Sequence, residues 1–324
     1  MKTDTPLLLA SAFAKDVYAG LRAFPKFLNS KYFYDKNGDA LFQKIMNLPE
    51  YYLTNCEYNI IENNKVKITD FFNGDANGFD LIELGAGDGK KTKILLRHFT
   101  KQQLNFNYLP IDISQNALDS LENSLIEEIP SLNVHTQQGM YFEVLKELSA
   151  YNKRKKIIMV LGSNIGNLKH DQAIEFLSNI RKSMNANDMI FIGFDQKKNP
   201  QQILDAYNDK TGITEAFNKN ILVRINDELE GNFNTDLFKH WETYDPETGT
   251  AKSYLVATEQ QTVTIKKLEL SIQFKAWESI HTEISQKYDD SMVNWLAKEA
   301  DLTIETTFAD DNACYKNYLL KLKQ

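Results

Sequence analysis

The stretch that narrows the possible folds furthest is Asp80-Leu81-Ile82-Glu83-Leu84-Gly85-Ala86-Gly87-Asp88-Gly89-Lys90-Lys91-Thr92. A mostly apolar run enters three glycines at alternate positions, and a helical pattern from Thr92 to His98 follows. That order predicts a buried strand, a tight turn and a helix start, the nucleotide-cradling corner of an open α/β sheet. Glycine suits such a turn because a Cβ would hold the backbone away from a ligand lying across it.

The chain around this corner alternates. Strands are expected at 80–84, 107–113, 133–137, 156–162 and 189–195, with helices at 115–128, 141–151 and 171–184. Such alternation implies a parallel sheet with helices on both faces, and ligands bind beyond the carboxyl ends of its strands. Asp112 ends the second strand, where a carboxylate can accept from both hydroxyls of a ribose; this suits NAD and S-adenosylmethionine equally. After the fourth strand, Gly162-Ser163-Asn164-Ile165-Gly166-Asn167 reads as a substrate-facing loop or a plain turn.

Residues 1–61 are dense in aromatics, among them Tyr34, Tyr51 and Tyr52, and Pro49 breaks the helical pattern of 39–46. Near residue 196 the alternation stops, and 197–287 carries polar helix and then extended segments at 253–257, 261–265 and 268–277, an inserted antiparallel unit. Within it Glu283 and Ser285 fall on one strand face and Ile284 on the other. The tail returns to helix (292–300) and two strands (302–308 and 313–322), a closing hairpin that a dehydrogenase sheet does not predict.

Composition removes several function classes. With 37 basic against 44 acidic residues the net charge is −7, which disfavours a nucleic-acid partner. Cys56 and Cys314 are too few for a disulfide framework, and the five histidines show no metal-ligand spacing, so no metal is expected. No apolar run reaches the ~18 residues of a membrane span, and the first residues do not start a secretion signal. A cytoplasmic chain, with no membrane and no obligate protein partner, is expected.

Spacing separates the ligands a glycine corner can hold. A Walker loop needs glycine directly before its lysine and Ser/Thr after it, and 89–92 misses in both registers. The dinucleotide fingerprint needs a glycine where Lys90 stands. The remaining pattern, Glu83 leading Gly85, Gly87 and Gly89, resembles motif I of the class I S-adenosylmethionine-dependent methyltransferases. An α/β fold with that Rossmann-like sheet and an inserted α+β substrate-binding domain follows. The methyltransferase domain would span 62–196 plus 288–324, and the substrate-binding domain 1–61 plus 197–287.

Over nearly its full length the chain is similar to the histidine N-alpha-methyltransferase family of the ergothioneine pathway. The likeness rests on Lys31-Tyr32-Phe33-Tyr34-Asp35, Leu48-Pro49-Glu50-Tyr51-Tyr52-Leu53-Thr54, the 83–92 turn and Pro110-Ile111-Asp112-Ile113-Ser114. It continues through 161–167, Ala206-Tyr207-Asn208-Asp209, Phe217-Asn218-Lys219-Asn220 and Thr282-Glu283-Ile284-Ser285-Gln286-Lys287-Tyr288. The resemblance implies methylation of the α-amino group of free L-histidine, to the trimethylated betaine hercynine, with S-adenosylmethionine as cofactor.

By the same resemblance Gly85, Lys91, Asp112, Met140 and Tyr141 would hold the cofactor. Tyr51, Gly162, Asn167 and Tyr207 would bind the amino acid's α-groups, with Tyr34 and Asn167 at the transfer site. Glu283, Ile284 and Ser285 would meet the imidazole. Three positions depart from the family. Met140 replaces an acidic residue near adenine, Asn55 replaces an arginine, and Ser253 stands where a bulkier apolar residue borders the imidazole and would enlarge the pocket. The same chemistry on another amino acid, or a non-catalytic adenosyl-ligand module, are the alternatives.

Overall fold

The computed structural model describes residues 11–74, 77–139 and 154–323. Its strands, in chain order, are β1 (Lys26–Phe27), β2 (Phe79–Leu84), β3 (Phe106–Asp112), β4 (Gln137–Gln138), β5 (Lys155–Val160) and β6 (Met189–Asp195). They continue as β7 (Phe238–Asp245), β8 (Thr250–Ala257), β9 (Gln261–Ile265), β10 (Leu270–Phe274), β11 (Ser279–Gln286), β12 (Leu302–Ala309) and β13 (Tyr315–Leu322). The chain divides into two units, Leu53–Lys197 with Gln286–Gln324 and Met1–Tyr52 with Lys198–Ser285.

The first unit is organised on β2, whose residues are all buried. Its sheet runs β12-β13-β6-β5-β2-β3-β4. The strands from β2 to β6 are parallel, and β13 enters antiparallel between β6 and β12. The closing hairpin expected from the sequence is therefore present. Polar groups inside β2 are paired, as burial requires: Asp80 accepts from the Asn107 amide at 2.7 Å and meets Arg154 at 3.2 Å. Helix Gln115–Glu128 starts where Ser114 accepts from the Ala117 amide, and it buries Leu118, Leu121 and Leu125 at helical spacing.

One strand is shorter than expected. In place of 133–137 the chain makes an isolated bridge between Val134 and Tyr108, then the two-residue β4. The cause lies in β3. Tyr108 exchanges both backbone bonds with Asn133 and His135, so Pro110 is the next residue on that side, and it has no N–H to donate. The expected helix 141–151 lies outside the described residues.

The second unit holds the sheet β1-β11-β8-β7 and the separate antiparallel pair β9–β10. Its core forms around helix Ile213–Leu229, which buries Phe217, Ile221, Leu222, Ile225 and Leu229. Among the elements not foreseen are helix Ala12–Arg22, helix Tyr52–Phe72 and strand β7. Among the described residues no helix is long and apolar enough to cross a membrane.

Candidate active site

In the first unit the glycine turn behaves as its spacing foretold. Gly85, Gly87 and Gly89 all have positive φ, at 77°, 54° and 65°. A Cβ on Gly89 would lie 2.4 Å from a Leu121 methyl group, so there glycine serves packing against the next helix. A Cβ on Gly87 would meet nothing within 4 Å, so there the backbone is left open to a ligand. Asp112 stands beside it at the end of β3. Its Oδ2 accepts from the Gly87 amide at 3.2 Å and its Oδ1 from the Ser114 amide at 3.0 Å. Each oxygen keeps a further lone pair for a ligand hydroxyl. An open turn beside such a carboxylate fits an adenosyl group.

The leading carboxylate, Glu83, serves the turn itself. It accepts from Thr92 Oγ1 at 2.6 Å and from the Tyr108 hydroxyl, tying helix Thr92–Lys101 to β3. Burial pushes its carboxyl up to about 7, against the lowering effect of Thr92, Tyr108 and Lys91. The native state therefore binds more protons than the unfolded chain between the model-peptide value of 4.5 and about 7. The stabilisation tied to that proton is complete below this window and is lost as pH rises through it. A Glu83→Gln variant should thus gain stability relative to the parent between about pH 5 and 8, measured by urea unfolding. Parallel pH curves for the two proteins would contradict this.

Lys91 and Gly162 converge on a residue that sequence reasoning missed. Glu57, on helix Tyr52–Phe72, receives the Lys91 ammonium and the Gly162 amide (2.7 Å) on Oε2, and Asn317 Nδ2 (2.8 Å) on Oε1. Its spacing offered no signal, because an isolated glutamate on a helix reads as solvated. Ser163, with φ of 58°, accepts from the Asp195 amide, and Asn167 ends the turn Asn164–Asn167 exposed. Met140 and Tyr141 lie outside the described residues.

In the second unit the aromatic and Thr-Glu-Ile-Ser motifs come together. The Tyr34 ring sits 5.5 Å from both Phe42 and Phe217, and Phe42 lies 6.2 Å from Tyr51. Burial, followed by the charge of Glu283 and the neighbouring Tyr51 and Tyr207, holds the Tyr34 hydroxyl well above the usual phenol range. It stays a neutral donor at physiological pH. Tyr207 and Ser285 share a hydrogen bond of 2.7 Å. Ile284 lies between Glu283 and Ser285 on β11, partly buried.

Ser253 does not simply enlarge the space. Its hydroxyl is 2.7 Å from Glu242 Oε2 and 3.5 Å from Glu283 Oε2, in a row across β7, β8 and β11. A hydroxyl donates one proton, so Glu242 takes it at the shorter distance.

Buried amides fix these tyrosines. Asn220 donates to the Phe33 carbonyl at 3.1 Å and to Asp35 at 2.9 Å, one residue either side of Tyr34. Asn218 donates to His240 Nδ1 at 2.7 Å, so the His240 Nε2–H faces the Tyr207 carbonyl at 2.9 Å. Burial lowers the His240 pKa, which keeps that neutral tautomer. Asp209 caps helix Ile213–Leu229. Burial raises its carboxyl, but bonds from Thr211, Thr214 and Ile213 outweigh this and bring it to about 2. The Asn-x-Asn and Asn-Asp pairs were visible as motifs, but their function as a scaffold behind the tyrosines was not.

A sheet ordered β4-β3-β2-β5-β6 and closed by an antiparallel β13 beside β12, with an open glycine turn after β2 and an acidic end to β3, defines a class I S-adenosylmethionine-dependent methyltransferase. The model of one family, described as histidine-specific, S-adenosylmethionine-dependent methyltransferase, matches residues 13–322. The chain is 34% identical over 279 residues to the histidine N-alpha-methyltransferase of Mycolicibacterium smegmatis, covering 86% of this chain and 85% of that protein. Against the protein of the same name from Mycobacterium tuberculosis the identity is 32% over 277 residues, covering 86% and 84%. Ergothioneine biosynthesis protein 1 of Schizosaccharomyces pombe is 29% identical over 303 residues, 90% of this chain and 38% of that longer protein. The chain belongs to the S-adenosylmethionine-dependent, histidine-specific methyltransferases.

Proposed function

We propose that this enzyme methylates the α-amino group of free L-histidine and repeats the transfer to the trimethylated betaine, hercynine. The observation that carries the reading is the cluster in which Glu283 and Ser285, two residues apart on one strand, meet the group of Tyr34, Tyr51 and Tyr207. Residues 62–196 with 288–324 serve the cofactor, and 1–61 with 197–287 the amino acid.

S-adenosylmethionine supplies a methyl group on a sulfonium, which an amine displaces in line. The amine must arrive neutral with its lone pair directed at that carbon. Little covalent work is left to the protein, and orientation alone contributes about 7–11 kcal/mol. Gly85, Lys91 and Asp112 hold the cofactor, with Met140 and Tyr141 at its base. Tyr51, Tyr207, Gly162 and Asn167 hold the α-carboxylate and α-amino groups. Phenols suit this task because they donate without placing a cation beside the ammonium that forms. Tyr34, kept neutral, lines the transfer site. Glu283 accepts from one imidazole N–H, and the Ser285 hydroxyl, already bonded to Tyr207, adapts to the other nitrogen.

Incubation with S-adenosylmethionine and a mixture of the common amino acids, read by mass spectrometry, tests the reading. Histidine is expected to gain three methyl increments while the other amino acids stay unmodified. Methylation of a different amino acid, or none at all, would overturn it.

A further inference from the structure

We propose that Glu57 is a positioning residue that neutralises Lys91 and thereby sets the preference of the cofactor site for a sulfonium over a thioether. The inference rests on the methyltransferase reading above. Its side chain is fully buried, and a carboxylate so placed costs several kcal/mol unless it is paired and hydrogen-bonded. The structure meets that requirement from three directions. One oxygen receives both the Lys91 ammonium, from the foot of helix Thr92–Lys101, and the Gly162 amide, from the loop after β5. The other receives the Asn317 amide from β13. The sheet also makes room for it, since a Cβ on Gly193 would stand 2.2 Å from Glu57 Oε1.

Two elements that carry proposed ligand contacts, the turn at Lys91 and the loop at Gly162, are thus held by a single atom. A Cβ at Gly162 would lie 3.5 Å from Lys91 Nζ, which shows how near the two come. The charge matters as well as the position. Lys91 beside the glycine turn would by itself be a cation facing a cationic ligand. Paired with Glu57, it stays a hydrogen-bond donor while the local charge is cancelled. The effect of the pair is felt nearby: Lys91 lowers the Glu83 carboxyl and Glu57 raises it.

The test compares two ligands that share every group except the sulfonium methyl, S-adenosylmethionine and S-adenosylhomocysteine. Dissociation constants for both are measured by calorimetry on the full chain, parent and Glu57→Gln. The amide is isosteric, and it can be accommodated because Asn317 Oδ1 accepts no bond among the described residues, so that side chain can turn to receive the new N–H. The variant is expected to weaken the sulfonium ligand at least about fivefold more than the thioether, because the Lys91 charge is left uncompensated. Equal weakening of both ligands would reduce Glu57 to a structural anchor and overturn the proposal, as would no change. The double variant Glu57→Gln/Lys91→Met removes the pair as a unit and should return the ratio to the parental value. A ratio still shifted in the double variant overturns the proposal even if the single variant does not fold. Failure of the parent to bind S-adenosylmethionine would instead sink the methyltransferase reading, so the two failures are distinct.

Discussion

Replacing Glu283 by alanine is expected to lower kcat/KM for histidine by about a hundredfold while leaving the dissociation constant for S-adenosylmethionine unchanged. The magnitude follows from a hydrogen bond to a charged acceptor, worth about 1.5–3 kcal/mol, with the imidazole N–H left unsatisfied once the carboxylate is gone. The selectivity follows from location. Glu283 sits on β11 beside Ser253 and within electrostatic reach of Tyr34, in the unit that does not contain the glycine turn. Steady-state kinetics with histidine, paired with calorimetry for the cofactor, decide the matter. Equal damage to both ligands would mean that Glu283 supports the fold rather than the acceptor, and undiminished histidine turnover would remove it from the site.

The second large effect concerns stability. Lys287 and Asp195 form an ion pair of 2.8 Å with neither side chain exposed. Around it the Tyr288 amide donates to the Asp195 carbonyl, and the Lys197 amide to the Tyr288 carbonyl. The pair therefore pins the end of β6 to the segment that follows β11. Truncating one partner strands a buried charge, so Lys287→Ala should cost about 3–5 kcal/mol of unfolding free energy. The double variant Lys287→Met/Asp195→Asn should recover much of that loss, because the penalty comes from the uncompensated carboxylate more than from the absent bond. Urea unfolding of the three proteins provides the check. A loss in Lys287→Ala below about 1 kcal/mol would show that the carboxylate finds other compensation.

Much of the larger unit was legible because its information is local. Phe79–Leu84 is buried on both faces and reads as a mostly apolar run; the turn after it must adopt positive φ, and only glycine does so freely. The β3–β4 edge was less legible for a non-local reason: Pro110 lay in view, but its missing donor matters only once the neighbour on that side is known. Helix Tyr52–Phe72 escaped because its apolar and polar residues do not separate onto clean faces. Strand β7 escaped because Trp241 faces outward while the inward face sets His240 and Glu242 between Phe238 and Tyr244, so its alternation carried only a weak apolar signal.

What the amino-acid order alone determined was the sheet, the glycine turn, the acidic end of β3 and the membership of Tyr34, Tyr51, Tyr207, Glu283 and Ser285 in family motifs. What only the tertiary structure decided was how those residues are held. Glu57 collects Lys91, Gly162 and Asn317 from elements up to 260 residues away in the chain. His240 and Asn218 fasten the Tyr207 backbone, Asn220 fastens the segment around Tyr34, and Ser253 turns from a gap into a hydroxyl between two carboxylates. Periodicity and turn chemistry act over a few neighbouring residues and can be read along the chain. The satisfaction of a buried charge depends on partners brought together only when the chain has folded.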